Sequence, residues 1–313
     1  MNSTHFERAI FISWYCSKRD CKFCYLSSNP NMSQDPKKDR RTLASIFAEA
    51  IICKACGWKV EFLSGGCDTY TDKELLNIIK TIYKITKQKQ WLNIGTLNKQ
   101  QLTLFKPYIE GVCGTVECIS PKLRDEICPS KPLKEIEEMF KIADQLNLKK
   151  TITIIIGLGE TIGDFKHLKD FIKKHKLKKI TFYRLKPQKG TIYENKQGPK
   201  TKYYVEWIKQ TRKAFPKIEI VAGSWLTHLD EIHLLLEAGA NSITKFPSIK
   251  NFNSKYARQI EQECQKAKRI FKGTLTKLPK IKELNSLNLN KTLKEQINIR
   301  LNNYLKRMKK PKQ

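Results

Sequence analysis

The chain has 313 residues, 40% of them hydrophobic, and 60 Lys+Arg against 30 Asp+Glu give a formal net charge of +30. That apolar content suffices for a sizeable core, no apolar run approaches the ~20 residues of a membrane span, and the opening stretch MNSTHFERAIFISWYC lacks the cleavage-like end of a signal peptide. These features predict a soluble cytoplasmic protein with no membrane partner, in which ten cysteines favour metal binding or catalysis over disulfides.

The first β-rich run, 9–14, leads into WYCSKRDCKFCY, which carries Cys16, Cys21 and Cys24 on a short basic loop. A helix over 42–56 and a strand over 60–63 follow, then the turn Ser64-Gly65-Gly66-Cys67-Asp68. Thr71-Asp72-Lys73-Glu74 reads as a capping box opening a helix through LLNIIKTIYKI. Further strands are expected over 92–94, 115–119, 151–156, 180–183, 218–222 and 241–244, with amphipathic helices over 133–146, 165–175, 203–215 and 229–237. Eight strands in β–α alternation within about 250 residues predict a single (β/α)8 TIM-type barrel. An open doubly wound sheet would put a glycine fingerprint after the first strand, where the cysteines stand instead.

The barrel is expected over 1–270, followed by a basic helical extension over 271–313 that holds 12 Lys/Arg and 2 Asp/Glu. Lysines are spread along the whole chain, as in KKHKLKK (173–179), without interleaved aromatics. They read as solvated helix faces rather than a nucleic-acid interface.

Three thiolates on a loop at the C-terminal mouth of a barrel suit zinc or an iron–sulfur cluster. Structural zinc wants four ligands, and the second pair, Cys53 and Cys56, falls in a helix with apolar neighbours. Three ligands to a four-iron cube leave one iron open to a substrate or cofactor. Cys67, Cys113, Cys118 and Cys128 are either wall residues or ligands of an auxiliary cluster, and Cys264, His228 and His233 read as bystanders.

With these residues in place the sequence resembles the radical S-adenosylmethionine (SAM) superfamily. The cysteine spacing is four then two rather than the usual three then two, and Lys22-Phe23-Cys24-Tyr25 matches the aromatic-Cys pattern. Gly65 and Gly66 match the family's glycine pair, with Cys67 where Glu is frequent, and IIIGLGETIGDF (154–165) resembles the GLGE segment of the biotin synthase-like branch. YRLKPQKGT (183–191) matches a P-x-x-GT loop, and LLEAGANSIT (235–244) resembles an AGAN run.

The resemblance implies a [4Fe–4S] cluster on Cys16, Cys21 and Cys24, and SAM contacts from Gly65, Gly66, Asp68, Glu117, Ile156, Gly157, Gly159, Glu160 and Arg184. It further implies reductive SAM cleavage, a reduced ferredoxin or flavodoxin-type donor, and a small-molecule or cofactor-precursor substrate. Asp68, Arg184 and Lys186 stand where they would fix an anionic one. Within the family the opening segment and ECISPKLRDEICPSKPL (117–133) are most similar to the iron-hydrogenase cofactor enzyme of methanogens, with archaeal lipoyl synthase-type sulfur insertion as the alternative. Outside enzymology, the competing reading is an iron–sulfur scaffold or electron carrier.

Overall fold

The protein was analysed as a computed structural model that describes residues 3–28, 33, 35–281 and 288–309. β1 (Ser3–Phe11) leads through the cysteine loop and one helical turn, α1 (Tyr25–Ser28), to α2 (Leu43–Cys56) and β2 (Lys59–Ser64). Then come α3 (Asp72–Thr86), β3 (Gln90–Asn93), α4 (Lys99–Phe105), β4 (Ile109–Glu117), α5 (Pro121–Ile127) and α6 (Leu133–Gln145). β5 (Lys149–Ile156), α7 (Phe165–His175), β6 (Lys179–Arg184), α8 (Thr201–Ala214), β7 (Glu219–Gly223), α9 (Ile232–Glu237) and β8 (Ser242–Thr244) continue the alternation. α10 (Lys255–Lys266), β9 (Ile270–Lys272) and α11 (Lys291–Lys309) follow.

Each strand from β1 to β8 runs parallel to its neighbours, and β1 pairs both β2 and β8, closing an eight-stranded barrel. β9 adds a short parallel pairing at the N-terminal end of β1. The predicted barrel is therefore the observed one. The strand period of two separates its surfaces. Ile10, Val116, Ile154, Ile156 and Phe182 point outward into the core shared with the helices. Ala9, Phe11, Thr115, Glu117, Thr153, Ile155 and Tyr183 line a cavity at the C-terminal end. Glu7, Lys59, Trp91, Lys149, Lys179 and Glu219 line one at the other end.

Two expectations shift. β1 spans Ser3–Phe11 rather than the expected 9–14, and β4 begins at Ile109, six positions before the expected start at 115. Gly111 and Gly114 hid that stretch, because glycine weakens a strand pattern. Here both serve close packing: a Cβ on Gly111 would lie 2.0 Å from the Lys149 carbonyl oxygen, and one on Gly114 would lie 2.5 Å from Ile136.

α11 rests against α2, burying Ile297, Leu301 and Met308, and the Tyr304 hydroxyl lies 2.8 Å from Ser45 Oγ. Residues 282–287 and 310–313 of the expected extension lie outside the described residues.

The capping box forms as read: Glu74 N donates to Thr71 Oγ1 and Thr71 N donates to the Glu74 carboxylate. Thr71→Ala removes an acceptor at a helix start and is expected to cost about 1 kcal/mol, read by denaturant unfolding. An unchanged midpoint would show that water replaces the cap without loss.

Candidate active site

The cysteine loop leaves β1 at the barrel's C-terminal mouth, where catalytic side chains of this fold gather. It is tied down from two sides. Ser17 N donates to the Cys67 carbonyl (3.3 Å) in the loop after β2, and Lys22 N donates to the Ile127 carbonyl (2.9 Å) at the end of α5. The Asp20 carboxylate accepts from Ser130 N (2.9 Å). Arg19, at φ 45°, takes the left-handed turn that the first gap requires.

Cys16, Cys21 and Cys24 face one open cavity of about 240 Å³, with Gly65, Gly66, Glu117, Lys131, Tyr183 and Lys245 on its walls. Gly66 is where the β2 loop meets the cysteine loop. A Cβ there would lie 2.0 Å from the Tyr15 carbonyl oxygen and 2.4 Å from Cys16 Cβ, so only glycine permits the approach.

The three thiols sit in different surroundings. A hydrogen bond from the Cys67 thiol draws Cys16 down to about 5, against burial, and raises Cys67 in return. Cys21 is lowered by a hydrogen bond with Cys128 and, less, by Lys131, whereas burial pushes Cys24 up to about 11. Burial opposes the Lys131 charge, but Cys21 and Glu117 more than offset it.

All ten cysteines are free, and among the described residues no three or more His, Cys, Asp or Glu side chains are already gathered as a metal-binding group. The donor set nonetheless fits an iron–sulfur cluster: three thiols turn to one cavity beside the half-buried Lys131, and two are already polarised toward thiolate. It does not fit the weighed zinc pair, because Cys53 and Cys56 are buried in the core against α2's neighbours. Cys113 packs with Phe62 and Trp91, and Cys118 with Ile127 and Leu158.

The structure brings Gly65, Gly66 and Glu117 together with the cysteines. Glu117 closes β4 at φ 61°, accepts from Thr153 Oγ1 (3.2 Å), and has its carboxyl raised by burial despite Lys131 and Arg124. The other expected contacts lie elsewhere. Asp68 accepts from Ser17 Oγ and lines a smaller adjoining cavity. Ile156 faces the outer core, and its neighbour Ile155 is the one turned to the cysteine cavity. Gly157 and Gly159 take positive φ so that Glu160 can accept from the amides of Gly157 (2.7 Å) and Leu158 (2.8 Å). Arg184 turns outward from the barrel, ion-pairs with Glu231 and donates to Thr201 (2.9 Å).

Sequence reasoning did not single out Lys131, Tyr183 or Lys245. The Tyr183 hydroxyl donates to buried Glu61 (2.6 Å), and Lys245 Nζ lies 4.0 Å from the Tyr183 ring centroid. Tyr183 is separated from the expected Arg184 by one strand step, and the two lysines stand on connecting segments that only the closed barrel brings together.

A family model for the radical SAM superfamily matches residues 11–172. An uncharacterized protein of Methanocaldococcus jannaschii is 44% identical over 299 residues, 95% of this chain and 83% of that one. A 7,8-didemethyl-8-hydroxy-5-deazariboflavin synthase of Archaeoglobus fulgidus is 25% identical over 55% of each chain. Among solved structures, methylornithine synthase superposes with a TM-score of 0.68 at 20% identity, over 78% of this chain and 72% of that one, and shares the fold. No described helix is long and apolar enough to cross a membrane.

Proposed function

The chain belongs to the radical SAM superfamily of enzymes, and on that premise we propose that Cys16, Cys21 and Cys24 hold a [4Fe–4S] cluster with which the protein cleaves S-adenosylmethionine reductively. The observation that carries this reading is the meeting of three cysteines, a glycine pair and a buried carboxyl around one cavity at the barrel mouth. When bound by Cys16, Cys21 and Cys24 and reduced, such a cluster would supply the single electron that reductive cleavage of SAM requires.

The chain's own residues bind, orient and exclude water. Lys131 offsets the charge of the thiolates, and Gly65 and Gly66 let a ligand approach the backbone. Glu117, buried on the wall, offers a carboxylate to accept from the amino group of SAM. Phe23, Ile136 and Ile155 keep the chamber walls apolar. The A. fulgidus relative is named for the synthesis of a deazariboflavin, and likeness to it supports cofactor biosynthesis with a small-molecule precursor as substrate. We assign the electron to a reduced ferredoxin or flavodoxin-type donor, and the iron-hydrogenase guanylylpyridinol cofactor is the first candidate product to test.

Reduced, iron-reconstituted protein mixed with SAM is expected to release 5′-deoxyadenosine and methionine. No release from a fully reduced preparation holding about four irons per chain would overturn the enzyme reading and leave an electron carrier. Glu117→Gln is expected to weaken SAM binding about tenfold, the loss of one charge-assisted hydrogen bond, with iron content unchanged. Equal SAM affinity in the variant would return Glu117 to a structural role.

A further inference from the structure

A second cavity, of about 890 Å³, opens where the segments after β6, β7 and β8 meet. Arg184, Lys186, Lys200 and Lys245 line it together with Trp225 and His228, and no Asp or Glu is among the lining residues. Arg184 is already neutralised by Glu231. Lys186 and Lys245 make no ion pair among the described residues, yet both reach the same indole: their Nζ atoms lie 5.1 and 5.9 Å from the Trp225 ring centroid. Trp225 is held in place by its Nε1, which donates to the Arg184 carbonyl (3.0 Å). Glu61 and Glu117 face Lys245 from inside the barrel, and an anion beside the indole would meet both ammonium groups from the cavity side.

Lys245 is placed with care. Its backbone sits at φ 73°, a left-handed conformation that a residue with a side chain keeps only where its surroundings enforce it. Gly223 clears the space, because a Cβ there would meet Lys245 Cγ at 2.9 Å and Tyr183 Cδ1 at 2.8 Å. Lys245 also lines the cysteine cavity, so one side chain borders both spaces.

We propose that this cavity receives the anionic end of the substrate, a carboxylate or phosphate on a ring-bearing organic molecule, held by Lys186 and Lys245 with its ring against Trp225. The reacting part of the molecule then extends past Lys245 toward the cysteines. The proposal rests on the reading of the cysteine chamber as the reaction site, but the anion site itself needs neither iron nor SAM.

The test uses the full chain without SAM or reductant, and three probes read by saturation-transfer NMR titration: 2-naphthyl phosphate, 2-naphthoate and the neutral 2-naphthamide. One of the two anions is expected to bind at least tenfold more tightly than the amide, and the better anion identifies the group as phosphate or carboxylate. Lys245→Met should weaken that anion at least fivefold and leave the amide unchanged. Lys186→Gln, on an exposed segment, carries the same expectation should Lys245→Met fail to fold. No anion binding, equal binding of anion and amide, or unaltered anion affinity in the folded lysine variants would overturn the proposal. Failure of SAM cleavage by wild-type protein that still selects the anion would sink the enzyme reading and not this one.

Discussion

Alanine at any one of Cys16, Cys21 and Cys24 is expected to abolish both the brown iron–sulfur absorption and SAM cleavage, while the chain still folds. Wild-type protein reconstituted without oxygen should carry about four irons, because three thiolates suffice for a cube with one open iron. The loop's own anchors explain why folding survives: the Ser17 and Lys22 amides and the Asp20 carboxylate tie it to the β2 loop and the α5 end without using a thiol. Cys67 and Cys128 sharpen the experiment, since their thiols hydrogen-bond with Cys16 and Cys21. With three ligands only, Cys67→Ala and Cys128→Ala keep full iron. Loss of iron in either would add it to the ligand set, and a full cluster retained by the triple Cys16/Cys21/Cys24 variant would refute the assignment.

Lys179→Met is expected to destabilise the protein by about 3–5 kcal/mol, the usual consequence of removing one partner of a buried ion pair. Lys179 and Glu7 meet inside the barrel at the end opposite the cysteines, with side chains 3% and 0% exposed. Burial alone would raise the Glu7 carboxyl, but Lys179 overrides it and leaves it below its ordinary value. Deleting the ammonium leaves that carboxylate buried and unpaired. Pairing Lys179→Met with Glu7→Leu should recover much of the loss, because the uncompensated charge goes with it. Equilibrium unfolding of the three variants decides the point. A double variant as unstable as the single would show that packing, not charge, is the cause. The sign with pH follows from Glu7's lowered folded value: the pair's contribution is present above the unfolded carboxyl's range and is lost as pH falls through the folded one.

The barrel was legible because its helices carry clean periodicity. α7 spans Phe165–His175 as expected, and the box at Thr71 marks the start of α3. α4, α5, α10 and β9 were not singled out. α4 and α5 have seven residues each, too few to display a period, and in α10 charged and amide side chains outnumber the apolar ones. At the site, local motifs were enough to find the cysteine loop and glycine pair. The side chains of Ile156 and Arg184 face away from the chamber, while those of Ile155 and Tyr183 face it. A one-residue uncertainty in a strand's phase exchanges its inner and outer faces, and no residue type at 155 or 156, both isoleucine, betrays which is which.

Barrel closure imposes an order on biogenesis. Thr4 Oγ1 donates to the Asn241 carbonyl across 237 positions of sequence, and β1 obtains its β8 neighbour only there. The cysteine loop therefore gains its full surroundings only when the first and last barrel strands meet, since Lys245 follows β8. Until β8 docks on β1, the cysteine loop stands beside an open sheet edge. Long-range parallel pairing makes that last docking step slow.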